Sequence, residues 1–160
     1  LKKDSNMSKL VAQNDVGLIL THNGTSSKYK DVVKETVSEI KNMICTALDN
    51  AISKHNIIID PGFGFGKNPT QNLKILAHLD EYKEIGFPVL IGTSRKSTIG
   101  YVLDLPVKDR IEGTAATVAI AIAKNVDLIR VHDVKEMIRV AKMSDAIIRG
   151  WDFKWGHMFM

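Results

Sequence analysis

Ile57-Ile58-Ile59-Asp60-Pro61-Gly62-Phe63-Gly64-Phe65-Gly66-Lys67 joins an uninterrupted apolar run to a loop in which glycines alternate with aromatic rings. Three β-branched residues in succession read as a strand covered on both faces, the habit of parallel sheets. The proline keeps Asp60 out of helical backbone, so a carboxylate stands at the carboxyl end of that strand. Three further runs read as strands, Val16-Gly17-Leu18-Ile19-Leu20, Pro88-Val89-Leu90-Ile91, and Val126 to Val131, the first two of them likewise continuously apolar.

Helical stripes separate these runs. Val33, Val37, Ile40, Ile44, Leu48 and Ile52 recur every three or four residues, which predicts an amphipathic helix with Lys34, Glu35, Ser38, Lys41 and Asn42 in solvent. A second helix is expected from about Thr70 to Lys83, with Leu73, Leu76 and Ala77 inward and Ile75 a further candidate, and a last one from about Val134 to Ile147. Ile111 to Lys124 has almost no polar face and is expected to be buried on two sides. At the start, Met7, Leu10 and Val11 give Leu1 to Gln13 a helical spacing without a cap, the pattern of a piece of a longer protein. Beyond Gly150 the residues to Met160 are aromatic and sulfur-rich without periodicity, so a domain over 1–150 and an unassigned tail over 151–160 are expected.

Composition narrows the function. The 160 residues are 44% hydrophobic and 25% charged, as expected of one globular domain. Twenty-two Lys and Arg against 18 Asp and Glu leave +4, yet the longest basic runs are pairs, Lys2-Lys3 and Arg95-Lys96, which argues against nucleic acid as a partner and for small anions. A lone cysteine, Cys45, cannot form an internal disulfide, and there is neither a signal-peptide core nor an apolar run long enough for a membrane span. The expected compartment is the cytoplasm.

Four βα units form either a small open sheet or half of a barrel, since closure takes about eight strands. Both architectures place ligands at the carboxyl ends of the strands. Here those ends read Thr21-His22-Asn23-Gly24, Asp60 to Lys67, Gly92-Thr93-Ser94-Arg95-Lys96-Ser97, and Arg130-Val131-His132-Asp133. An ionised Asp60 accepts from paired N–H groups such as the amidine-like edge of a guanine or pterin ring; an Asx turn or a helix cap is the plainer use of it. The loop that follows is no Walker A motif, because Asn68 stands after Lys67 where Ser or Thr should be. Ser94 to Ser97 opens a helical turn whose free N–H groups and two cations favour an anion. Arg130 and His132, two apart, project to one face and suit phosphate. His55 and His78 read as surface residues, and no cluster suggests zinc.

Together, in this order and each after a strand, Asp60-Pro-Gly-Phe-Gly-Phe-Gly-Lys67, Gly92-Thr-Ser-Arg-Lys-Ser97 and Arg130-Val-His132 closely resemble the dihydropteroate synthase family. The resemblance implies an α/β fold, a (β/α)8 TIM barrel of the pterin-binding type, of which this chain covers the second half, strands five to eight. It implies a transferase of folate biosynthesis that joins 6-hydroxymethyl-7,8-dihydropterin pyrophosphate to p-aminobenzoate. Matched residue by residue, Asp60, Gly92, Lys96 and Arg130 would bind the pterin, Phe65 and Ser97 would line the p-aminobenzoate pocket, and Arg130 and His132 would hold the pyrophosphate, with Lys96, Arg130 and His132 taking part in catalysis. The family's Mg2+-binding Asn, and an Asp and an Asn that complete its pterin site, have no counterpart in this chain, so no metal ligand is expected here and the isolated chain should be inactive. Thr21 stands where methionine is common. The resemblance further implies a homodimer through the later helices. A half-barrel interaction module that has lost catalysis is the alternative.

Overall fold

Strands and helices alternate throughout the computed structural model, which describes residues 6–24 and 28–151. The elements are α1 (Asn6–Asn14), β1 (Leu18–Thr21), α2 (Val32–Asp49), β2 (Ile57–Asp60), α3 (Pro69–Ala77), α4 (Leu79–Lys83), β3 (Leu90–Ile91), α5 (Ser97–Leu103), α6 (Ile111–Ala123), β4 (Leu128–Ile129) and α7 (Val134–Arg149), with single 3-10 turns at Lys54–Asn56 and Val107–Asp109. The first five residues of the expected N-terminal helix and nearly all of the expected tail lie outside the described residues.

β1 pairs with β2 in parallel, Leu18 opposite Ile57 through Thr21 opposite Asp60, and β3 pairs with β4, Leu90 opposite Leu128. A bridge between Ile59 and Val89 links the two ladders, and the Ile59 N–H donates to Pro88 O at 2.9 Å. The spatial order β1-β2-β3-β4 is therefore the chain order. Right-handed crossovers between sequential neighbours put every helix on the same side, as in a barrel wall, whereas a doubly wound sheet must reverse its order. Among the described residues, β1 and β4 each have a single neighbour.

Strand alternation divides the apolar side chains. Leu20, Ile57, Ile59 and Ile91 meet the helices in one core with Val33, Ile40 and Ile44 of α2, Ile75 and Leu76 of α3, and Leu79 and Tyr82 of α4. Ile40, Ile59, Ile75 and Leu79 are completely buried, each contributing about 1.5–3 kcal/mol over an exposed position. By the same alternation Ile19, Ile58, Leu90 and Leu128 belong to the opposite face. There Leu90 is buried but Ile19 is 48% exposed and Leu128 37%, so the chain leaves part of the second face open where its apolar runs predict cover on both.

The helices correct several sequence expectations. α2 is capped by the Asp31 carboxylate, which accepts from the Val33 and Lys34 N–H groups, but it ends at Asp49, leaving Leu48 exposed while Thr36 and Ala47 take inward positions. In α1 only Val11 is inward of the three expected apolar residues. The expected Thr70 to Lys83 helix is two helices broken at His78, and its inward stripe is Asn72, Ile75, Leu76 and Leu79, with Leu73 and Ala77 exposed. α6 buries Thr114, Thr117, Val118, Ala121 and Ile122, partly against Met137 of α7, and Ile120 on its other side is 48% exposed within this chain. No described helix is long and apolar enough to cross a membrane.

Candidate active site

Asp60 ends β2 with only 4% of its surface exposed. One carboxylate oxygen accepts from the Gly62 N–H at 2.8 Å, the bond of an Asx turn, and the other accepts from the Thr21 hydroxyl across the ladder at 3.3 Å. Burial pushes the carboxyl upward from its ordinary pKa, opposed by the Gly62 N–H, the Lys96 charge, Thr21 and the Arg130 charge. The plain and the functional uses of this aspartate thus coexist. A carboxylate can take about four hydrogen bonds, and two of them are used within the chain.

The glycines after Asp60 are demanded by close approach. Gly62 has φ +71°, and a Cβ there would stand 1.8 Å from the carbonyl oxygen of His22; at Gly66, φ +62°, it would stand 1.9 Å from that of Gly24. Between them, Phe63 is completely buried while Phe65 is 37% exposed at the mouth of the sheet. The Lys96 ammonium lies 4.5 Å from the centre of the Phe65 ring and 5.8 Å from that of Phe63, and donates to the Phe63 carbonyl. Burial lowers the Lys96 pKa, Asp60 raises it and Arg130 lowers it further, so these three charges share one electrostatic environment.

The two cations expected to act together after β3 are separated. Arg95 has φ +54°, and its guanidinium turns away to grip Asp133 at 2.8 and 2.5 Å; the Arg95 N–H donates to the Thr114 hydroxyl and its carbonyl accepts from Arg110. α5 itself has only seven residues. Of the two cations expected at its start, Arg95 is a brace between the loops after β3 and β4, Lys96 alone faces Asp60, and Ser97 lies exposed at the first position of α5.

Arg130 follows β4 beside Gly92, where an added Cβ would stand 3.3 Å from its guanidinium, so the glycine leaves room for that side chain. Arg130 is exposed, and no carboxylate lies within ion-pair distance of it among the described residues. Val131 points to the α6–α7 cluster, whereas His132 turns to the loop after β3, with Nδ1 2.9 Å from the Ser94 hydroxyl and its N–H donating to the same oxygen. Asp60, Gly92, Lys96 and Arg130 thus gather at the carboxyl end of the sheet, with Lys96 over the Phe65 ring and His132 fixed at Ser94. One buried carboxylate, flanking cations and an aromatic wall suit a flat heterocycle with an adjacent anionic group.

Four contributors escaped sequence reasoning. Asn72, buried on α3, accepts from the Gly64 N–H at 2.7 Å and donates to Lys67 O and the Thr98 hydroxyl. Lys67 donates to His22 Nδ1 at 2.9 Å, and His22, 1% exposed, reaches Glu39 at 3.1 Å. Burial lowers the Lys67 pKa to about 8 against the pull of Asp60 and Glu39. The local signals were the place of His22 at the end of β1, that of Lys67 at the close of the glycine loop, and the Asn68-Pro69-Thr70-Gln71 capping box, which marks the start of α3.

Residues 1–132 match the family model described as pterin binding enzyme. A dihydropteroate synthase of Clostridium beijerinckii is 48% identical over 149 residues, 92% of this chain and 55% of that protein. That of Bacillus subtilis is 42% identical over 147 residues, 92% of this chain and 52% of its own length. Among solved structures, a Clostridium difficile dihydropteroate synthase in the presence of pteroic acid aligns with a TM-score of 0.90 at 43% identity, over 93% of this chain and 57% of that one. A Yersinia pestis dihydropteroate synthase in complex with a sulfonamide drug aligns at 0.89 and 31% identity with the same coverage. The chain spans about half the length of the curated relatives it matches.

Proposed function

Because the chain belongs to the pterin-binding enzyme family, with dihydropteroate synthases as its relatives, we propose that it forms strands five to eight of a (β/α)8 barrel, the second half of a dihydropteroate synthase. The observation that carries this reading is the convergence of Asp60, Lys96 and Arg130 beside Gly92 on a consecutively wound sheet with two open edges. The barrel domain ends near residue 150, and the enzyme works in the cytoplasm.

In this reading the free acceptor sites of Asp60 take the amino and ring N–H groups of the pterin, and Phe65 with Ser97 borders p-aminobenzoate. The bond between the pterin methylene carbon and the pyrophosphate oxygen breaks, its electrons leave with pyrophosphate, and the positive charge spreads into the pterin. The amine of p-aminobenzoate then forms the carbon–nitrogen bond and gives up a proton. Arg130 and His132 stabilise the charge that builds on the leaving group, and Lys96 holds the pterin against the second substrate. Mg2+, whose Asn ligand in this reading lies outside the segment, would be shared with the pyrophosphate, and no step is assigned to it here. The full-length protein should release pyrophosphate only when both substrates are supplied, with dihydropteroate as the product by mass. Absence of that product from a folded full-length protein would overturn the assignment.

A homodimer through the later helices follows from the same reading. The outer face of α6, Ala116, Ile120 and Ala123, is exposed, apolar and largely small, which permits close helix approach. Ala119 is half-buried, so Ile120 is the residue to test. Ile120→Glu should convert the full-length enzyme to monomer in sedimentation, and an unaltered dimer would place the interface elsewhere.

A further inference from the structure

Lys67 has no role in the reaction as described above, yet its side chain ties two loops of the site together. Its ammonium lies 2.9 Å from His22 Nδ1, 3.0 Å from Gly62 O and 3.1 Å from Phe65 O. An ammonium has three N–H donors and no acceptor, so these contacts use all of them. Since His22 Nδ1 accepts from Lys67, the ring proton belongs on Nε2, which donates to Glu39 Oε2 at 3.1 Å; the tautomer is assigned from its partners. Burial and Lys67 both favour that neutral ring.

The backbone shows what this chain of bonds closes. The loops after β1 and β2 meet where Gly62 abuts His22 O and Gly66 abuts Gly24 O, each too close for a side chain. The Lys67 side chain joins the same two loops. Two of its acceptors, the carbonyls of Gly62 and Phe65, bound the turn that carries the Phe65 ring beneath Lys96. Asp60 is less dependent on it, being fixed by the β1–β2 ladder and by Thr21.

We infer that Lys67 is a positioning residue, whose ammonium, braced by His22 and Glu39, holds the loop from Gly62 to Gly66 so that Phe65 and Lys96 form one wall of the pocket. The identity of the ligand at that wall, p-aminobenzoate, rests on the synthase reading. Loosening that loop moves the Phe65 ring, while Lys96 at the start of α5 and Asp60 at the end of β2 keep their places on their own elements, so p-aminobenzoate should be affected and the pterin nearly untouched.

The test uses the full-length enzyme with Lys67→Met and, because Glu39 is half-exposed and its loss should spare folding, Glu39→Ala. In Lys67→Met the KM for p-aminobenzoate should rise at least about tenfold while that for the pterin pyrophosphate changes less than about threefold. Glu39→Ala should shift the same constant in the same direction by about threefold. Amide hydrogen exchange at residues 62–66 should quicken at least about tenfold in Lys67→Met, with the amides of β2 unchanged. Unaltered exchange in that loop, unaltered KM for p-aminobenzoate in both variants, or equal rises in both constants would overturn the inference. A wild-type enzyme that makes no dihydropteroate, together with faster loop exchange in the variant, would remove the synthase reading and leave the positioning role standing.

Discussion

Asp60→Asn in the full-length enzyme is expected to lower kcat/KM by at least about tenfold, a loss of about 1.4 kcal/mol or more in transition-state stabilisation, and Lys96→Ala to do the same. The amide keeps an oxygen for the Gly62 N–H but replaces the second carboxylate oxygen by an NH2 group, a donor where a pterin edge presents donors of its own. At 4% exposure there is little water to compensate the mismatch. Lys96→Ala removes the cation between Phe65 and Asp60, leaving Arg130 and Lys67 as the positive charges acting on that carboxylate. Unchanged kcat/KM in both variants, at unchanged melting temperature, would remove these residues from the site.

The groups at the strand ends were legible because strands have a period of two and proline restricts what precedes it. Asp60, Gly92, Lys96 and Arg130 could be placed at one end of one sheet from those rules alone. Bonds across the sheet were not legible. Thr21 reaches Asp60, and Lys67 reaches His22, over separations of 39 and 45 residues that no local pattern reports. The phase of α3 was misread because Asn72 is polar and Leu73 is not; the buried amide is needed to hold the Gly64 N–H, and this turns Leu73 outward. Arg95 and Lys96 are neighbours of equal charge, and only the positive φ of Arg95 sends one to Asp133 and the other to the pocket. The apolar runs correctly indicated parallel strands but exaggerated how much of the sheet this segment covers by itself.

That uncovered surface leads to the second large effect. Expressed alone, the 160-residue chain should bind the dye ANS and self-associate, while the full-length enzyme should do neither. Along their outer edges β1 and β4 leave backbone N–H and C=O groups without a strand partner among the described residues, and such edges are templates for association. Beside β4 an apolar groove runs along α7, lined by Val118, Ile122, Ile129, Val131, Met137 and Ile138, and Ile138 is 50% exposed. On the concave face Ile19 and Leu128 add to it. Closing the barrel with four more strands would pair both edges and cover this face. A monodisperse chain that ignores the dye and unfolds cooperatively would show that four βα units are sufficient by themselves.

Pyrophosphate release, followed for the full-length protein and the 160-residue chain side by side with both substrates present, decides whether one active site is divided between this segment and the rest of the protein. The full-length protein should turn over and the segment, its intact mass verified, should not, since in the proposed reading the Asp60, Lys96 and Arg130 cluster is one part of a pterin site completed by the rest of the barrel. Steady turnover by the 160-residue chain alone would contradict the division and make these four units a complete enzyme.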